Sequence, residues 1–197
     1  MKKFELVTEC NLNCSGRSLF RIRACIDFTT ASGDEVHKGD LGGFVEKESN
    51  LFHSGKAWIC GNAKVYDDAI VCGDAEVCDN TKVFGYAIVC DNAKVCGDVI
   101  VCGDAEVCDN AKVCDNAIVC GDAKVCGDAK VCGDAKVCDN AIVYGDAIVC
   151  GDTEVCDNAK IFGCAKVCGD AKVCGDVIVC SYAKVAKMRI DLNPGGK

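Results

Sequence analysis

From Ala57 to Met188 the chain is 22 consecutive six-residue units, without one insertion or deletion. A typical unit reads Ala-Lys-Val-Cys-Gly-Asp, as at positions 123–128. The first position is Ala in 18 units and Val or Thr in the rest; the third is Val in 20, with Ile59 and Ile161 as the exceptions. A unit this short cannot bury an apolar face alone, so it must bury it against its neighbours, each repeat forming one step of a coil. The period reads as a solenoid.

Positions one and three are two residues apart, so in a strand they share a face, and that face is small plus Val. It points inward. Positions two and four, mostly Lys and Cys, flank the Val and are expected to point outward. Positions five and six are mostly Gly-Asp or Asp-Asn, residues that tolerate left-handed backbone angles and turn the chain. Each corner thus holds one residue suited to positive φ. The array contains no Pro, which would remove a ladder hydrogen bond.

The pattern resembles the left-handed parallel β-helix of the hexapeptide-repeat proteins, and the resemblance covers residues 57–188. The entry, Gly39 to Leu51 and Gly55 to Ala63, further resembles uncharacterised bacterial and prophage hexapeptide-repeat proteins, relatives by fold of the hexapeptide acyltransferases. The resemblance implies an all-β fold with three hexads per triangular coil, a left-handed winding and about seven coils. Four aromatics at position four agree with an 18-residue coil, since Tyr66 and Phe84 are 18 apart, as are Tyr144 and Phe162. The second pair reads as a copy of the first: residues 66–107 match residues 144–185 at 31 of 42 positions. The displacement is 78 residues, or 13 hexads, which is not a multiple of three. The copy should therefore lie on a different face, and growth of this kind fits selection on length and fold better than selection on one surface.

Residues 1–50 do not repeat and are read as an N-terminal β cap. Phe20, Ile22, Ala24, Ile26 and Phe28 alternate with Arg21, Arg23, Cys25 and Asp27, the pattern of a half-buried strand. Phe4 to Val7 is its candidate hairpin partner. A solenoid exposes unpaired backbone at its first coil, and this segment is placed to cover it. The β-helix is assigned to 51–188, beginning with a degenerate unit at Leu51, and a tail to 189–197. In the tail, Ile190 and Leu192 suit one face of a last strand, and Pro194 ends the ladder. That cover is thin, so end-to-end self-association through the C-terminal coil is expected.

The net charge of −8 lies wholly in residues 57–197, the array and its short tail, because residues 1–56 carry eight basic and eight acidic side chains. An acidic rod argues against binding a nucleic-acid backbone. No stretch is apolar enough to span a membrane, and Glu5 and Glu9 interrupt any signal-like start. The expected location is the cytoplasm, where the 21 cysteines should be mostly thiols.

Seventeen of those cysteines occupy position four. On three-hexad coils Cys60, Cys78, Cys96, Cys114, Cys132, Cys150 and Cys168 form one column, Cys102 to Cys174 a second and Cys72 to Cys126 a third. Such thiols suit soft metals, but Cys-x5-Cys places successive sulfurs on different faces and matches no zinc box. Vertical disulfides fit the coil spacing, which is within the permitted Cα separation. Corner carboxylates such as Asp134, Asp152 and Asp170 read as solvated turns. A hexapeptide acyltransferase would use a histidine base beside a coenzyme A cleft. Here the only histidines, His37 and His53, precede the array, and no loop leaves it. The sequence is therefore read as a non-catalytic structural or interaction module, with no catalytic, cofactor-binding or metal residue assigned and no cofactor. Acyl transfer dependent on acetyl-CoA is the alternative, and thiol-based soft-metal binding along the Cys columns is the third reading.

Overall fold

The computed structural model describes residues 2–186 and 189–192. The inward Val and Ala of every hexad give three parallel sheets, one per face of a β-solenoid of about eight coils. The first face includes Lys64–Val65, the second Ile70–Val71 and the third Glu76–Val77. Each strand pairs in register with the one 18 residues on, as Val95 with Val113 and Val113 with Val131. Coils are spaced as strands in a sheet are, with Cys60 and Cys78 Cα atoms 4.7 Å apart. The in/out register is as expected: Val131, Val113 and Val149 are 0% exposed, while Lys130, next to Val131 and on the other side of the strand, is exposed.

The corner chemistry follows a rule that the sequence left open. Position five always carries the positive φ, from Gly61 to Ser181, whether it is Gly (Gly121, φ 72°) or Asp (Asp115, φ 65°). Gly121 also lies close under the next corner, where an added Cβ would meet the Asp139 nitrogen at 2.7 Å. Where position five is Asp, its carboxylate reaches the coil above. Asp79, Asp115 and Asp109 accept the N–H groups of Gly97, Gly133 and Gly127, each at 2.9 Å. Asn at position six extends the same connection, Asn80 donating to Asp98 and Asn116 to Asp134, both at 2.9 Å. The Asp-Asn corner is thus a side-chain clamp between coils as well as a turn.

The cap is built from β1 (Phe4–Cys14), β2 (Arg17–Ala24), β3 (Phe28–Thr29), β4 (Glu35–Val36) and β5 (Leu41–Val45). β1, β2 and β5 pair antiparallel. β5 then pairs parallel with Lys64–Val65, so the first-face sheet runs unbroken through 11 strands from β1 to Arg189–Leu192. Leu51 bridges to Val71 on the second face and Trp58–Ile59 starts the third, so residues 41–59 already trace one coil. The tail strand Arg189–Leu192 pairs with Lys172–Gly175; Pro194 lies outside the described residues.

The aromatic pairs stack as expected, Tyr66 on Phe84 and Tyr144 on Phe162, with centroids 5.0 Å apart in each. The first pair follows strands of the first face and the second pair strands of the second face. The copied segment did rotate onto another face.

Candidate functional site

The cysteine columns run as the 18-residue coil requires, but their sulfurs do not simply face water. Position four sits at the edge of each face, where the turning chain and the thiols above and below shield it. Most of these thiols are half-buried, and Cys138, Cys156 and Cys174 are buried together. The outward assignment of position four is therefore corrected to a half-buried corner. Burial pushes the Cys108 and Cys138 thiols up to about 12 and those of Cys114 and Cys168 up to about 11, with nearby carboxylates or thiols adding to the shift. Such thiols are weak nucleophiles at neutral pH, since the thiolate is the reactive form.

Vertical proximity is expressed directly in two places: Cys60 is joined to Cys78, and Cys156 to Cys174, both across one coil step. Cys150 and Cys168 sit with sulfurs 3.0 Å apart. The remaining cysteines are free. Three corners add a carboxylate to a vertical thiol pair. Cys108, Asp109 and Cys126 bring their ligand atoms within 4.8 Å of one another, as do Cys114, Asp115 and Cys132, and Cys156, Asp157 and Cys174. These trios share one signal, Cys-Asp at positions four and five with Cys-Gly 18 residues on. It is visible in the sequence only after the coil length is known.

The cap supplies the other polar constellation. The turn joining β3 to β4 lies against the third face, where Ser32 donates its N–H (2.6 Å) and hydroxyl (2.8 Å) to the Glu76 carboxylate. Lys94 completes the group at 3.4 Å from Glu76 and 2.9 Å from the Ser32 hydroxyl. These contacts hold the Glu76 carboxyl below its usual range against the opposing effect of burial, which is the largest single influence on it. On one side of this strap lies a cleft of about 390 Å³ lined by Trp58, Glu76, Asp34 and the Cys60–Cys78 pair. Nothing in the sequence signalled this contact, because Glu76 sits in an ordinary hexad and Ser32 in an ordinary turn.

The two histidines fall in the cap. His53 packs tilted against Phe4 with centroids 4.4 Å apart, its Nδ1 accepts the Lys3 N–H at 3.3 Å, and its Nε2 lies 2.9 Å from Glu48. This is a packing role. His37 is exposed beside Glu35 and Asp40. The structure does not bring the two together with the thiol columns. Asp134 accepts from Asn116, so at least this corner carboxylate belongs to the clamp between coils.

Residues 135–151 match the family model described as YdcK beta solenoid repeat. The matched stretch is one turn of the coil, with one strand on each face: Lys136–Val137, Ile142–Val143 and Ile148–Cys150. The chain is a β-solenoid repeat protein. No curated protein matches it. Among the described residues no helix is long and apolar enough to cross a membrane.

Proposed function

We propose that this β-solenoid is a non-catalytic structural or interaction module, a rod whose length rather than one decorated face is under selection. The observation that carries the reading is the aromatic pair, stacked at 5.0 Å on the first face and copied at the same distance on the second. A dedicated binding or catalytic face would have been scrambled by a copy displaced by 13 hexads, whereas the fold tolerates it. The packing of His53 against Phe4 and Glu48 further favours this reading over acyl transfer. The hexad pattern and the entry at 39–63 support membership of the hexapeptide-repeat proteins, a left-handed winding and a bacterial or prophage origin. A majority of free thiols fits a cytoplasmic setting, and the acidic array favours protein partners or further copies of this chain over nucleic acid.

The reading is tested by melting the protein with saturating acetyl-CoA. A specific ligand stabilises by mass action, so the expected shift is zero. A rise of several degrees that disappears in His53→Ala or His37→Ala would overturn the proposal in favour of acyl transfer.

A further inference from the structure

We infer that two corners of the array, Cys108/Asp109/Cys126 and Cys114/Asp115/Cys132, are binding sites for a soft divalent cation such as Zn²⁺ or Cd²⁺. Each offers two thiols from consecutive coils and one carboxylate, with the ligand atoms within 4.8 Å of one another. Bond lengths of about 2.3 Å to sulfur and about 2.0–2.2 Å to oxygen in a tetrahedron put ligand atoms roughly 3.5–3.8 Å apart. Closing the trio takes about 1 Å, which small side-chain rotations supply.

Two features distinguish these corners from the rest of the columns. The first is the orientation of the carboxylate. Asp109 accepts the Gly127 N–H at 2.9 Å and Asp115 the Gly133 N–H at 2.9 Å, so a backbone group outside the ligand set aims each one. At Asp91 and Asp139, which sit beneath a second Asp, the matching bonds are 3.3 and 3.4 Å. There the thiols of Cys90 and Cys138 donate to their own Asp neighbours at 3.4 Å, a contact that Cys114 makes with Asp115 only at 3.9 Å.

The second feature is that both sulfurs are free. Cys78 and Asp79 obey the same sequence rule with Cys96, but Cys78 is bonded downward to Cys60 and is taken out of the set. The trio of Cys156, Asp157 and Cys174 is likewise joined across its two sulfurs. That bond shows how near this constellation brings two thiols. Thiolate sulfur selects a soft ion over Ca²⁺ or Mg²⁺. One ligand position stays open to water at each corner, because Asp109 and Asp115 are solvent-exposed.

The test is a Cd²⁺ titration of the full chain, kept free of air and without added reductant so that the Cys60–Cys78 and Cys156–Cys174 bonds stay closed, following the thiolate-to-metal charge-transfer absorption. Cys108→Ala/Cys114→Ala should remove the tightest phase, and Asp109→Asn/Asp115→Asn should weaken it by about tenfold or more, since even outer partners of a metal site contribute about 10–100-fold. Alanine is accommodated at position four, as Ala186 shows. The control is Cys102→Ala/Cys120→Ala, in a thiol column whose corners have Gly103 and Gly121 at position five and so lack the carboxylate of the trios, and it should bind as wild type. Equal losses in the control and the test variants, full affinity in the Asp variants, or no charge-transfer band in the wild type would each overturn the proposal.

Discussion

In the cap, Lys3 donates to the carbonyls of Ala57 and Gly55 at 2.8 and 3.2 Å, and Asn50 donates to Asp67 and Ala69 while accepting from Lys47. Each contact is made once. In the array, Asn80, Asn116 and Asn158 each repeat one contact with the coil above, and Val stacks on Val or Ile from coil to coil. The cap therefore depends on single buried polar residues placed by an irregular chain, whereas the array depends on a pattern in which each contact is one of several equivalents. Solenoid stability is close to a sum of nearest-neighbour steps, so damage in the array should be local unless it enters the core. Damage at the cap should free the edge from which the coils are counted.

The largest effect should come from breaking the array's core. Val131→Asp places an unpaired carboxylate between Val113 and Val149, all three fully buried, and should cost about 4 kcal/mol or more. Lys130→Asp, one residue away, should be close to neutral or slightly favourable, because Lys130 stands over Lys112 on the exposed side of the same strand pair. Denaturant midpoints would show it. Equal losses would mean that redundancy does not separate the inner and outer faces.

Next comes the contrast between two asparagines. Asn50 is fully buried and satisfies three backbone groups. Asn50→Ala leaves those groups without partners, a loss of about 2–3 kcal/mol. Asn116→Ala removes one exposed bond to Asp134 of a kind made again at other corners, and a much smaller change is expected. If the two variants melt together, the cap is no more singular than the array.

The same contrast explains what could be read from the sequence. Val113, Val131 and Val149 recur at one position of a fixed period, so their burial follows from spacing alone, whereas the three-hexad coil on which the aromatics stack came from the resemblance to the hexapeptide-repeat proteins. Lys3, Asn50 and the Ser32–Glu76 contact carry no periodic signal: a lysine near the N-terminus and a glutamate in an exposed register are ordinary until the cap folds over the third face. The cysteines fall between. Their columns were legible, but their half-burial was not, because position four lies where the strand becomes the corner and period-two logic stops applying. The trio rule needed the left-handed angle at position five, which aims Asp109 and Asp115 at the coil above.

Alkaline pH should set the two regions against each other. Burial holds the Lys3 amine down to about 8, against 10.5 in an unfolded chain. Between those values the unfolded state binds more protons, so this group makes stability rise with pH. The array thiols act in the opposite sense. Cys108, Cys138, Cys114 and Cys168 keep their protons to about 11–12 when folded, against 9.0 when unfolded. Their contribution is complete below pH 9 and is lost as pH rises toward 11–12. Several thiols outweigh one lysine, so midpoints measured under phosphine should fall from pH 9 to pH 11. The fall should steepen in Lys3→Met, which removes the opposing term, and an unchanged slope there would place the Lys3 amine in solvent.

The smallest effect expected concerns the two ends. At the capped end Leu51, Ala57 and Ile59 are 0–1% exposed, while in the last coil Val177, Val179 and Val185 are 4–8% exposed. Arg189–Leu192 extends only the first-face sheet; among the described residues the second ends at Ile178–Val179 and the third at Lys184–Ala186. Among the described residues these two sheet edges carry no further strand, and such edges beside incompletely covered valines favour pairing with another chain. We therefore expect weak, concentration-dependent self-association through the C-terminal coil, strengthened when residues 189–197 are removed and the third edge is freed. Lysine on an edge strand opposes such pairing, so Ile178→Lys, at a side chain already 61% exposed, should weaken association without unfolding the coil. Sedimentation of the three proteins decides the matter. A truncated chain that stays monomeric at high concentration would show that the last coil closes itself as completely as the cap closes the first.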